Sequence, residues 1–254
     1  MRKLSFLALI VAVATSCEPE TTNVVDPPAS DDRVLAIEMQ YAFDNQNLVM
    51  NQIGFSTANN TVGFSNIQHF LSDLKLKKAD GSWLSVGGYG LLSPTTEAKA
   101  SFSFQDVPKG IYEGIQFTIG VDSIANHTDP SVWPNDHALS IMVGGSMHWT
   151  WNSGYIFIKV EGQYEEPGSS PGGFAYHLGR DDLKVVYSQE GINLNLQENN
   201  GTAVFRMDLK KFFDQPNSFT ISPETSFTHS AVRDTVAEQL HQNMQTMVSF
   251  VELK

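Results

Sequence analysis

The chain has 254 residues, of which 41% are apolar and 11% aromatic, and it carries a formal charge of −12 at neutral pH. That much apolar material can build a sizeable core, while the acidic balance is poorly matched to phosphate backbones, so nucleic acid is not an expected partner. Cysteine occurs once, so neither a disulfide framework nor a cysteine-rich metal site is available to the fold.

Arg2 and Lys3 precede an apolar run from Leu4 to Ala14, too short to cross a bilayer, which takes about 20 apolar residues. Small residues Ala14, Thr15 and Ser16 lead to Cys17. This is the pattern of a bacterial lipoprotein signal. Residues 1–16 are expected to be removed and Cys17 to be lipidated, making the membrane a partner through the N-terminal lipid. The expected location is the bacterial cell envelope, at the outer membrane on its periplasmic or surface face. Residues 17–33 are acidic and rich in Pro, Thr and Ser, with little to bury, which predicts a flexible tether. The folded domain is expected over residues 34–254.

Within it the dominant signal has period two. Leu35, Ile37, Met39, Tyr41 and Phe43 alternate with smaller or polar residues. Leu74 and Leu76 run into the Asp80-Gly81 turn before Trp83. Phe102 and Phe104 lead through Pro108-Lys109-Gly110 to a strand with Ile115, Phe117, Ile119 and Val121 on one face. Ile192, Leu194 and Leu196 meet a turn at Asn199-Asn200-Gly201, and the return strand carries Ala203, Phe205, Met207 and Leu209. Such repeated alternation, broken by glycine-containing turns, predicts an all-β fold, an antiparallel β-sandwich. One short C-terminal helix is expected from about Ser230, where Val232, Val236, Leu240 and Met244 recur at helical spacing, followed by a last strand from Met247. The stretch from Asn126 to Ser146 reads as a long functional loop.

The segment Met147-His148-Trp149-Thr150-Trp151-Asn152-Ser153-Gly154-Tyr155 is the most unusual in the chain. On a strand, Trp149 and Trp151 would share one face and His148 and Thr150 the other. No G-x-S-x-G elbow, H-E-x-x-H, phosphate-binding loop or paired cysteine occurs, so an enzyme is not expected. The acidic pairs Asp181-Asp182 and Glu165-Glu166 lack the spacing of a calcium loop.

The runs GVDSIANHTD, MHWTWNSGYIFIKVEG and FAYHLG, with NIQHFLSDLKL and SFSFQDVPKGIYEGIQFTIGVD before them, resemble the MbnP-like copper-binding domain family. The resemblance covers most of residues 34–254, and W-x-W-x-x-G-Y is its most specific part. It implies a β-sandwich on an extracytoplasmic lipoprotein that binds copper. His127, His148 and His177 lie in the matching segments and become the candidate metal ligands, and Trp149 and Trp151 the candidates for an indole oxidised to kynurenine. Copper suits this set: imidazole, with a thioether such as Met147 or a water, satisfies it, whereas zinc asks for about four donors. The alternative function is a metal-free surface module that binds glycan or protein through exposed aromatics such as Trp133 and Tyr89. A third reading makes the Trp-x-Trp segment a hydrophobic hub of the sandwich.

Overall fold

The computed structural model describes residues 32–254, with 95–96, 150–153, 167, 169 and 231–232 left out. The signal, Cys17, nearly all of the tether, and Trp151 therefore lie outside the described residues. In chain order the first strands are β1 (Arg33–Phe43), β2 (Gln46–Asn47), β3 (Phe55–Ser56), β4 (Thr61–Lys78), β5 (Trp83–Leu92), β6 (Lys99–Val107) and β7 (Ile111–Ile119). Then come helical turns α1 (Ser123–Asn126) and α2 (Ile141–Gly144), strands β8 (His148–Trp149), β9 (Gly154–Tyr155), β10 (Ile158–Glu165), β11 (Gly172–Leu178), β12 (Val185–Asn195) and β13 (Gly201–Asp208), and helix α3 (Leu209–Asp214). Strand β14 (Phe227–Thr228), helix α4 (Thr235–Met247) and strand β15 (Val248–Leu253) complete the chain.

Alternation produces two large sheets, and β8 pairs with β9 in a separate two-stranded one. One orders β15-β13-β1-β2, with β6 also paired to β1; the other orders β12-β7-β4-β10-β11-β14, with β3 and β5 also paired to β4. The alternating apolar residues all turn inward: Leu35, Ile37, Met39 and Tyr41 from the first sheet, Leu74, Leu76, Ile115, Phe117 and Ile119 from the second. Fully buried side chains of this size each contribute roughly 1.5–3 kcal/mol, so the inter-sheet core is the main source of stability.

Three features refine the expected sandwich. Two strand pairs are parallel, β1 with β13 and β11 with β14, because their partners arrive from distant parts of the chain and no tight turn dictates their direction. The turns at Pro108–Gly110 and Asn199–Gly201 do not close hairpins: β6 and β13 belong to the first sheet, β7 and β12 to the second. Only the Asp80-Gly81 turn of the three joins paired neighbours, β4 and β5. The C-terminal helix starts at Thr235, not near Ser230, because the Asp234 side chain caps it by accepting from Ala237 N–H. Ser230 itself is left-handed, at φ 45°, and Val232 is outside the described residues.

A second apolar cluster lies apart from the inter-sheet core. Phe70, Val121, Ala125, Leu139, Met147, Trp149, Tyr155, Ile156 and Phe157 pack together there. Its centre is Phe70, whose β4 neighbours His69 and Leu71 are also fully buried, so β4 is covered on both faces at this point. The cover is the chain between β7 and β10.

Candidate functional site

Phe70 fixes the stem of that excursion. Its N–H donates to Phe157 O at 3.0 Å and its carbonyl accepts from Gly120 N–H at 3.1 Å. A strand residue presents both groups to the same side, so β7 ends and β10 begins beside the same residue of β4. Residues 121–156 leave and return at this one point. Asp122 starts α1 by accepting from the N–H groups of Ile124 and Ala125, and it also accepts from the Tyr89 hydroxyl. Ser140 caps α2 through Val143 N–H. The excursion is pinned internally by Tyr155, which donates from its hydroxyl to Leu139 O at 2.5 Å and from its N–H to Asn126 Oδ1 at 2.8 Å.

The excursion builds a cavity of about 430 Å³ lined by His127, Thr128, Asp129, Pro130, Ile141, Gly145 and His148. Two of the three histidines singled out from the sequence thus meet at one cavity. His127 Nε2 lies 3.3 Å from Asp181 Oδ2. Asp181 also accepts from Asn126 Nδ2 at 2.8 Å and from the Ser123 hydroxyl. Burial works to raise the Asp181 pKa, but these hydrogen bonds outweigh it and hold the carboxyl below its usual range. His148 packs edge-on against Tyr155, with ring centroids 4.9 Å apart. Burial lowers the His148 pKa, with the Asp129 carboxylate opposing, so its imidazole is neutral and able to ligate at pH 7.

His177 does not line this cavity. It lies on β11, with Nε2 2.7 Å from Glu161 Oε1 and Nδ1 3.0 Å from His229 Nδ1. Among the described residues no three His, Cys, Asp or Glu side chains converge as a ready metal cage, so of the three candidate histidines two share the cavity and His177 stands apart from it. Met147 is fully buried in the cluster around Phe70, which takes its thioether out of the cavity. Trp149 is 5% exposed in that same cluster, as the hydrophobic-hub reading expects. Trp133 stacks on His137 at 4.4 Å and 7°, with Tyr89 6.0 Å from Trp133. These two aromatics therefore pack against a histidine and not on a separate platform. Sequence reasoning missed Asp181 as the partner of His127, having weighed its acidic pair only against a calcium loop, and it missed His229, which no local pattern marks. The remaining histidines serve elsewhere: His69 is buried between the sheets beside Tyr41, and His241 lies on α4 near Lys184 O.

Fold and cavity define the class: a two-sheet β-sandwich domain whose longest inter-strand excursion carries a histidine-lined pocket. The chain belongs to the MbnP family, whose model matches residues 32–230. The solved structure of MbnP from Methylosinus trichosporium shares the fold at a TM-score of 0.55 and 13% identity, covering 82% of this chain and 87% of that one. A chlorocatechol 1,2-dioxygenase from Pseudomonas putida aligns over 80% of this chain and 60% of its own at 12% identity, but its TM-score of 0.18 carries no structural relation. No curated protein matches the sequence.

Proposed function

We propose that this protein is a lipid-anchored, extracytoplasmic copper-binding protein, a capture or buffering protein and not an enzyme, with His127 and His148 as its ligands. The observation that carries this reading is their meeting at one cavity from separate parts of the excursion. With His127 Nε2 turned to Asp181, Nδ1 becomes its ligating nitrogen. A carboxylate behind a ligating imidazole fixes its tautomer and raises its basicity. Two imidazoles with solvent or an oxygen donor suit copper, whereas a structural zinc ion would ask for about four protein donors. Asp129 lines the same cavity and is the nearest oxygen ligand in sequence.

The pocket lies at the far end of β7 from the start of β1. Arg33, at the start of β1, pairs with Val107 at the β6–β7 end of the sandwich. The excursion leaves from the other end of β7, roughly 27 Å away at strand spacing. The segments that line the pocket also expose Ile124, Val132, Ile141, Met142 and Val143.

Protein purified from copper-supplemented cells and analysed by plasma mass spectrometry should lose one copper per chain in the His127→Ala/His148→Ala variant. Unchanged copper in a folded variant would sink the assignment. Asp181→Asn should weaken binding at this pocket by about 10–100-fold, the usual cost of losing such a supporting partner, as read by competition with a chromophoric copper chelator. Equal affinity in the two proteins would show that Asp181 does not act through His127.

A further inference from the structure

Helix α2 is a single turn on the wall of the pocket, and it is packed through a glycine. Ser140 starts it by accepting from Val143 N–H at 3.2 Å, and Gly144 N–H closes it on Ser140 O at 2.8 Å. Four residues at 3.6 per turn point in four directions, so only one of them can face the protein squarely. That one is Gly144, which is buried, and a Cβ there would fall 2.4 Å from Ala138 O. The side chains of Ile141, Met142 and Val143 are therefore turned outward, at 57%, 74% and 43% exposure. Ile141 lines the pocket, so Met142 stands beside its mouth.

Exposure sets this methionine apart. The chain has eight, of which Met1 lies outside the described residues. Met39, Met147, Met207, Met244 and Met247 are buried, and Met50 packs against the inter-sheet core. These six thioethers fill space between apolar neighbours, which is what a flexible methionine does best. Met142 fills no such space, since most of its surface meets water. Cys17 is the only cysteine in the chain, so residues 34–254 hold no thiol to react first with an oxidant. An open thioether is then the sulfur that a two-electron oxidant reaches.

We propose that Met142 is a reversible oxidation site, converted to its sulfoxide by peroxides, and that the change turns the rim of the pocket from apolar to polar. With hydrogen peroxide, a lone pair of the Met142 sulfur attacks one peroxide oxygen. The S–O bond forms as the O–O bond breaks. The proton on the transferred oxygen passes to the departing hydroxide, which leaves as water. Sulfur is oxidised by two electrons and the peroxide is reduced by two. A methionine sulfoxide reductase supplied with a dithiol reverses the step: the oxygen leaves as water and the dithiol becomes a disulfide. The sulfoxide puts a polar group where an apolar side chain stood. Its place is the centre of Ile141-Met142-Val143, the one run of three consecutive exposed large apolar side chains among the described residues. The step requires no metal and is independent of what the pocket holds.

The test adds hydrogen peroxide to the purified protein in a buffer containing a metal chelator, and maps digests taken over time by mass spectrometry. The peptide carrying Met142 should gain one oxygen at least about tenfold faster than those carrying Met39, Met50, Met147, Met207, Met244 or Met247, whose thioethers wait on local opening of the fold. In urea the rates should become equal. On native hydrophobic-interaction chromatography the singly oxidised protein should elute earlier, and methionine sulfoxide reductase with dithiothreitol should restore its retention. Met142→Leu should lose both the fast oxidation and the peroxide-dependent shift in elution. Oxidation of Met142 no faster than that of Met50, or rates that stay unequal in urea, would overturn the site. A sulfoxide at Met142 that leaves retention unchanged would overturn its effect on the rim.

Discussion

Gly162→Ala is expected to destabilise the domain by about 3 kcal/mol or more, the upper range for forcing extra atoms into a packed interior. A Cβ at residue 162 would fall 1.9 Å from Gly63 O and 2.7 Å from Phe174 Cζ. The first neighbour is backbone of the adjacent strand and cannot rotate away. Here the β10–β4 register also shifts, between Glu161 and Gly162, so the two chains approach at a bulge. At the usual 2–4 °C per kcal/mol for a domain of this size, the melting temperature should fall by roughly 6–12 °C. Gly145→Ala is the matched control, because its nearest neighbour would be Ile141 Cγ2 at 3.8 Å and its backbone is already right-handed helical. Calorimetry that finds the two variants equally stable would refute the steric account.

The second large effect concerns acid. His69 is fully buried, with Nε2 2.9 Å from the Tyr41 hydroxyl. Burial pushes the Tyr41 pKa up, so its hydroxyl stays protonated and donates to the ring. Protonating His69 would place a charge in a site without water's dielectric, and burial accordingly pushes its pKa down to about 4. In the unfolded chain the same imidazole takes up its proton near pH 6.5. Between those values the unfolded state binds more protons, so stability rises with pH across the window. The His69 contribution is fully present above about pH 6.5 and is lost as pH falls toward 4. The total is about 3 kcal/mol, at 1.36 kcal/mol per pH unit. His137, His148 and His177 are shifted the same way by burial and add to the slope. Carboxylates such as Asp122 and Glu161, held low, act at lower pH. Urea unfolding at pH 6.5 and pH 5.0 should differ by about 2 kcal/mol from His69 alone. His69→Gln should remove that part of the difference, and an unaltered slope would show that another group is responsible.

Much of this architecture was legible locally. Alternation in segments such as Leu35–Phe43 and Ile115–Val121 identifies inward faces because a strand's side chains alternate with a period the sequence displays directly. The family motifs were legible too, and the structure gives several of their residues a physical reason. The glycine of FAYHLG is Gly179, where a Cβ would meet Tyr155 O at 2.1 Å and Trp149 Cη2 at 3.0 Å, so two motifs that are separate in sequence share one contact. Phe70, which lies in the NIQHFLSDLKL run, is the anchor of the whole excursion.

By itself, then, the sequence determined the β class, the inward faces, the family and two of the histidines that share a cavity, because periodicity and motif are properties of neighbouring residues. Which turns cross between sheets was decided only by tertiary structure, since a Pro-Gly or Asn-Gly turn has the same local geometry whether the next strand pairs or departs. The separation of His177 from His127 and His148 was decided there as well, and so was its pairing with His229 through the parallel β11–β14 register. That pairing joins segments some fifty residues apart, and contacts of that range follow from how strands are ordered in a sheet, which no local pattern encodes.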